Sequence, residues 1–395
     1  MRTESIVLAV AIFLIVVGGA GTIWGWVRRR RDQRRASRLP HEYFQAVSYL
    51  LEERTDRALA AFIELADRNS DMIELHFALG SLFRRKGEFE RAARIHQNLI
   101  ARPSLSRMQR ETALRELGQD YLRAGLYDRA ERIFSDLLEG KEQEVFAARN
   151  LVAIYEQQQD WAQAAEMRRR LEKLGGGNER DIIAQYYCEL AEAARLQGDA
   201  AKMRRALAEA KHNASDLPRV RLLLAQSAFD RGNFREALRG YRELLENELR
   251  LAEVVLPDLA SIFPRGARDP DFDGVVRRLL DTASSASTPL AVAGLKHTRL
   301  RSPAMLEAIE RELVLLVEPM SERTVASFMD SQEVRTALIR LLTEWVAQRP
   351  LYLCRICGFR TQTLYWHCPG CRNWATMQMR QDVFPEPEKE TAEHA

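Results

Sequence analysis

Hydrophobic positions fall into two regimes along this chain. From Ile6 to Val27 no charged residue interrupts 22 positions. At about 1.5 Å per residue a helix over that run spans roughly 33 Å, enough to cross a hydrocarbon core. From about residue 40 the pattern changes. Apolar residues recur at three- and four-residue spacing in segments broken by glycine or proline, which predicts a succession of amphipathic helices. Near the C-terminal end the spacing shortens, and Thr363 to Trp366 is predicted to pair with Leu351 to Leu353 as a small ribbon.

The helical segments repeat. Gly80 to Ala92 (GSLFRRKGEFERA) recurs as Gly118 to Ala130 (GQDYLRAGLYDRA), and a second-helix alanine returns at Ala58, Ala92, Ala130, Ala164 and Ala237, with Met203 in the equivalent place. The intervals are 34, 38, 34, 39 and 34 residues, the period of tetratricopeptide (TPR) helix pairs. Small first-helix residues (Gly80, Gly118, Ala191, Ala225) are expected to face the small residue of the second helix, beneath Tyr49, Phe83, Tyr121 and Tyr155. Gly87, Gly125, Gly198 and Gly232 supply a left-handed residue to end the first helix. Six such pairs stack into an all-α superhelical solenoid with a groove, because no pair buries its apolar face alone. First-helix residues Arg85, Arg115, Gln119, Arg149 and Asn150 are predicted to face that groove and to suit an acidic or carboxylate-bearing segment; a solvated arginine face is the alternative. From Leu251 the signature fades. Pro257, Pro264, Pro270, Pro289, Pro303 and Pro319 punctuate helical segments that read as degenerate pairs or, failing that, an unrelated bundle.

Composition and charge sharpen the picture. Only 20 glycines and 13 prolines occur in 395 residues, which favours helices. The net charge of +3 hides a local concentration: residues 28–38 hold seven arginines and one aspartate, so the remaining chain carries −3. A slightly acidic body has no electrostatic footprint for nucleic acid. The arginines instead follow Trp24 and Trp26 at the end of the apolar run, so the positive-inside rule keeps that side cytoplasmic. A cleaved signal peptide reverses this charge order. An uncleaved single-pass anchor is therefore expected.

Candidate chemistry is confined to four cysteines. Cys354 and Cys357 form one Cys-x-x-Cys knuckle, Cys368 and Cys371 another, ten residues further on. Two facing knuckles complete a tetrahedron of thiolates around one ion, and a module of about 25 residues needs that ion to fold. Stable disulfides do not suit a cytoplasmic compartment, and a redox Cys-x-x-Cys stands alone at a helix start. Iron and zinc both accept four thiolates. The knuckles resemble those of rubredoxins, which favour iron; the shorter insert and Arg372 in place of a closing glycine depart from that family. His367 reads as a surface neighbour of Cys368, and Cys188 as a packed thiol. Phosphate-cradling, Gly-x-Ser-x-Gly and His-Glu-x-x-His motifs are missing, and a closed thiolate shell leaves no open position for catalysis, so a non-enzyme is expected.

The expected organisation is an anchor over 1–27, a basic juxtamembrane linker over 28–39, six TPR units over 40–250, degenerate helices over 251–349, the metal module over 350–376 and a polar tail over 377–395. In this order, ending in Cys-Arg-Ile-Cys-Gly-Phe (Cys354 to Phe359) and Trp-His-Cys-Pro-Gly-Cys (Trp366 to Cys371), the chain resembles the lipopolysaccharide assembly protein B family of Gram-negative inner membranes. That resemblance implies an adaptor acting with the membrane protease FtsH to promote degradation of LpxC, the deacetylase that commits precursor to lipid A. It also implies contact with other lipopolysaccharide assembly proteins, and metal ligation by Cys354, Cys357, Cys368 and Cys371. A redox- or metal-sensing scaffold for envelope enzymes is the alternative.

Overall fold

The computed structural model describes residues 41–52, 54–68, 72–140, 142–282, 288–317, 331–380 and 383–384. The expected anchor, the arginine block, Pro319 and the last residues, 385–395, lie outside them. Among the described residues no helix is long and apolar enough to cross a membrane. Contacts divide the chain into two units, Met1–Ile154 and Tyr155–Ala395.

The first unit contains α1 (His41–Leu51), α2 (Thr55–Arg68), α3 (Ile73–Arg85), α4 (Phe89–Ile100), α5 (Arg107–Arg123) and α6 (Tyr127–Leu137), with most of α7 (Glu144–Gln158). Helices pack as consecutive pairs around Ala58, Phe62, Leu65, Leu75, Leu82, Phe83 and Ala92, all buried. Gly87 and Gly125 take φ of 81° and 74°, as the turn after a TPR first helix requires. Gly80 and Gly118 have a different neighbour from the one expected. A Cβ at Gly80 would lie 2.5 Å from the His96 ring, and one at Gly118 2.7 Å from Phe134. Each gap admits a ring from the second helix, one turn beyond the repeated alanine.

Polar groups join successive pairs in this unit. Asp120 is fully buried and accepts from Arg84 Nη1 at 2.7 Å; His96 Nδ1 lies 2.5 Å from its other oxygen. Arg84 Nη2 also donates to Glu116. Burial alone would raise the Glu116 carboxyl, but Arg84 and then Arg115 hold it below the ordinary range.

The second unit continues with α8 (Trp161–Lys173), α9 (Arg180–Leu196), α10 (Ala200–Asn213), α11 (Pro218–Asp230) and α12 (Phe234–Asn247), then α13 (Ala252–Ser261), α14 (Pro270–Thr282), α15 (Thr288–Lys296), α16 (Pro303–Val317) and α17 (Gln332–Gln348). Pro270 and Pro303 open their helices, where a missing N–H costs nothing. Pro257 instead lies inside α13, which continues through it because Val255, Leu256 and Leu259 are buried on either side. One apolar cluster runs from Leu222 through Val255 and Phe272 to Met305 and Ala308.

A three-stranded antiparallel sheet closes the unit: β1 (Tyr352–Cys354) lies between β2 (Arg360–Thr361) and β3 (Met377–Met379). Tyr352 pairs with Thr361 on one side and Met379 on the other. This replaces the expected pairing with Thr363–Trp366. Leu364 and Trp366 instead turn onto the helical core, and Gln362 Nε2 donates to the Ala347 carbonyl at the end of α17, at 3.1 Å. The third strand also lies past the boundary expected at residue 376, and Val383 and Phe384 beyond it are buried.

Local strain yields a first test. The turn after α7 puts Gln159 at φ 59°, where four other pairs use Gly87, Gly125, Gly198 and Gly232. Gln159→Gly is expected to stabilise the chain by about 1 kcal/mol by relieving a left-handed non-glycine residue. Gly118→Val, by contrast, forces a side chain into Phe134 and is expected to cost about 1–3 kcal/mol. Urea unfolding of both variants checks the signs; a Gly118→Val protein as stable as wild type contradicts the close-approach account.

Candidate metal centre

The two knuckles are built by backbone hydrogen bonds before any side chain is considered. After β1, the Gly358 N–H donates to the Cys354 carbonyl at 3.0 Å, and the Cys354 N–H to the Phe359 carbonyl at 2.8 Å. The second knuckle repeats the pattern: Arg372 N–H to Cys368 O at 2.9 Å and Cys368 N–H to Asn373 O at 3.0 Å. Both turns need a left-handed residue after the second cysteine. Gly358 supplies it at φ 75°, and Arg372 adopts it at φ 57° without being glycine. Gly370 is required for another reason: a Cβ there would meet Cys357 Sγ at 3.2 Å.

These turns bring four sulfurs within 4.8 Å of one another. Cys354 Sγ lies 3.7 Å from Cys371 Sγ, and Cys357 Sγ 3.7 Å from Cys368 Sγ. A tetrahedral ion with bonds of about 2.3 Å to sulfur has S···S edges of about 3.8 Å, which these two edges match, so the donor set suits one ion. The electrostatics agree. Burial pushes the Cys354 thiol up, but Thr376 Oγ1 at 3.2 Å and the N–H groups of Cys357 and Ile356 outweigh it and bring the group down to about 6. The side chain and backbone of Asn373 lower Cys371. Cys357 takes the opposite course: the Phe359 N–H pulls it down, yet burial and the neighbouring sulfurs drive it up to about 12. Four thiolates at this spacing need a cation.

The ribbon seats itself on the helices of its own unit through the residues that follow the ligands. Trp374 meets Trp161 and Tyr186 edge-on, each with centroids 5.6 Å apart, and stacks on His367 at 4.4 Å. Trp161 in turn stacks on Tyr186 at 5.6 Å. Beneath lies Arg219, only 1% exposed, which donates to Gln185 at 3.2 Å, Glu189 at 2.8 Å and Glu192 at 2.5 Å. Its guanidinium lies 5.7 Å from the Trp366 ring and 6.0 Å from that of Trp374. Arg372 donates to Gln157 at the end of α7, Arg250 to the Met377 carbonyl at 2.8 Å, and the Tyr352 hydroxyl to Glu253 at 3.2 Å. None of Trp161, Gln157 or Arg219 belongs to a ligand motif. The only sequence signal for this seat was the density of aromatic residues around the knuckles.

The groove residues are less uniform than their spacing suggests. Arg85 and Arg149 are exposed. Arg115 is half-buried, 3.1 Å from Glu116 and with its guanidinium 5.3 Å from the Phe146 ring. Gln119 donates to Asn150 Oδ1 at 2.6 Å, and Asn150 donates to the Phe146 carbonyl at 2.8 Å. Cys188 is fully buried, and burial raises its thiol to about 12, as suits packing rather than reactivity.

Replacing Cys354 and Cys357 with Ser is expected to abolish ion binding, measured by elemental analysis, and to speed amide exchange in Tyr352–Cys354 while Phe234–Asn247 stays protected. Because thiols must lose their protons to ligate the ion, ion affinity should weaken as pH falls. A pH-independent affinity between pH 6 and 8 contradicts this.

Comparison with known proteins follows the same architecture. A tetratricopeptide repeat profile matches residues 45–104 and 115–179, and a rubredoxin metal binding domain profile matches residues 352–378. Lipopolysaccharide assembly protein B of Escherichia coli strain K12 is 30% identical over 380 residues, covering 93% of this chain and 97% of that protein. The protein of that name from Haemophilus influenzae is 25% identical over 376 residues, with 90% and 94% covered. A solved structure of Naa15/Naa10 bound to HypK-THB aligns with 78% of this chain and 51% of that chain at a TM-score of 0.36 and 15% identity, a likeness too loose to argue from. Identity sustained along nearly the whole length of both chains decides the matter: the chain belongs to the lipopolysaccharide assembly protein B family.

Proposed function

We propose that this protein is a non-enzymatic adaptor of the inner membrane that limits lipopolysaccharide synthesis by presenting LpxC to an FtsH-type protease. It would work beside other lipopolysaccharide assembly proteins. The observation that carries the reading is the shared sequence with lipopolysaccharide assembly protein B over 93% of the chain. Stacked helix pairs offer extended surfaces of the kind that hold other proteins. The apolar run 6–27 and the arginines of 28–38 tether the rest to the cytoplasmic face, raising its effective concentration around a membrane protease. The TPR pairs over 40–250, the degenerate helices over 251–349 and the metal module over 350–376 divide the work between client and protease. Arg85 and Arg149 offer exposed cations to a client. Arg115, Gln119 and Asn150 would have to exchange their present partners for it.

Cys354, Cys357, Cys368 and Cys371 hold one ion, iron by likeness to rubredoxin knuckles, with zinc the alternative. A redox- or metal-sensing role is the second reading. One observation favours it: Arg372 and Trp374, which seat the ribbon, follow directly on Cys371. In cells carrying the wild-type protein, LpxC is expected to be short-lived and to co-purify from membranes with the protease and this chain. Cys354→Ser/Cys357→Ser should lengthen the LpxC half-life severalfold. An unchanged half-life in a strain lacking the protein altogether would sink the adaptor reading, and recovery of a stable set of synthetic enzymes instead would favour a scaffold.

A further inference from the structure

A cleft opens in the second unit where the ribbon meets α9 and α11. Glu189, Glu192 and Leu196 of α9, Arg219 of α11, and Tyr365 and Trp366 of the ribbon are among its lining residues, and its volume is about 480 Å³. That volume lies in the range of specific ligand sites.

The charges of the lining do not cancel. Arg195, which also lines the cleft, is matched by Asp230, donating to its two oxygens at 2.6 and 3.0 Å. Arg219 is left to serve two carboxylates, and it does so through a single nitrogen. Its Nη2 donates to Glu189 Oε1 at 2.8 Å and to Glu192 Oε2 at 2.5 Å. One guanidinium against two carboxylates leaves a negative charge in excess. Glu189 Oε2 and Glu192 Oε1 have no partner among the described residues, and both side chains are only half-buried.

Arg219 adds the opposite need. This lining residue is 1% exposed, and its Nε is enclosed without an acceptor among the described residues. Such a donor is unfavourable until an acceptor reaches it. The rim is apolar: Leu196 is 90% exposed, Tyr365 is exposed, and the Trp366 ring lies half-buried beside the Arg219 guanidinium at 5.7 Å. The lining therefore suits a ligand that brings a cation, a hydrogen-bond acceptor and apolar groups. An anion would instead face two carboxylates. A protein segment with a lysine or arginine supplies all three, since its side chain donates to carboxylates, its amide carbonyls accept and its neighbours cover the rim.

We propose that this cleft docks a basic segment of a partner protein, a lysine or arginine flanked by apolar residues and seated against Glu189 and Glu192. The chemistry is the same whichever protein carries the segment, so it does not rest on the adaptor reading.

The test uses the full chain in a non-ionic detergent and a fluorescently labelled pentapeptide of alternating leucine and lysine, followed by anisotropy. Binding is expected, with affinity falling as salt rises and weakened about tenfold by Glu189→Gln/Glu192→Gln at unchanged helicity and metal content. The same peptide with glutamate in place of lysine should not bind. No binding of the lysine peptide by the wild type overturns the proposal, as does equal binding of the glutamate peptide or equal affinity in the double variant. Should the double variant fold poorly, Glu192→Gln alone supplies the comparison, with a loss of about fivefold expected and equal affinity again overturning it. Affinity that rises about tenfold when Arg28, Arg29, Arg30 and Arg31 are replaced by Gln assigns the cleft to the chain's own arginines and overturns the partner.

Discussion

Four sulfurs held within 4.8 Å repel one another as thiolates, and only a shared cation makes that arrangement favourable. Much of the second unit's C-terminal architecture follows from this one balance. The knuckle hydrogen bonds aim the thiols inward, and the same turns aim Arg372 and Trp374 outward at the helices. An ion of about 2.3 Å bond length therefore sets the position of side chains that touch α7, α8 and α9. Burial opposes it, but Thr376 and the N–H groups of Cys357 and Ile356 lower Cys354, and Asn373 lowers Cys371, so hydrogen bonds already favour the thiolate form that a cation needs.

The ion does not hold the ribbon alone. A sheet of this size buries too little to be stable in isolation. Here Leu351, Tyr352 and Met377 share one apolar cluster with Ala291, Leu313 and Val346 of the helices, so the ribbon borrows a core it cannot make. The polar side of the seam is also held: both Nη atoms of Arg219 donate to α9, its buried Nε has no partner among the described residues, and its guanidinium lies beside two ribbon indoles. Tyr186 links both, bonding Glu156 and receiving Arg168 Nε at 2.6 Å while its ring meets Trp161 and Trp374.

Features encoded by local spacing were legible in the sequence. The repeat interval located the helix pairs, the glycines at 87, 125, 198 and 232 all adopt positive φ, and the Cys-x-x-Cys spacing brought the thiols together. Contacts between distant segments were not legible. Arg372 and Gln157 lie 215 positions apart, and no periodicity connects them. Strand pairing near the knuckles was misjudged because alternation at Thr363–Trp366 marks residues turned onto helices, not onto a neighbouring strand. The groove residues illustrate a third limit. Spacing identifies a face, but it does not reveal that Gln119 and Asn150 satisfy each other there.

Near-identical building blocks stacked in a row invite miscounting, since one pair's apolar edge suits almost any other. Asp120 guards against this in the first unit. Enclosed completely, it is paired with Arg84 and hydrogen-bonded to the His96 ring, both from the preceding pair, and a wrong neighbour would leave a buried polar group without partners. The cluster thus works as an address label for one junction, favouring α5 after the α3–α4 hairpin over any neighbour that lacks the matching acid.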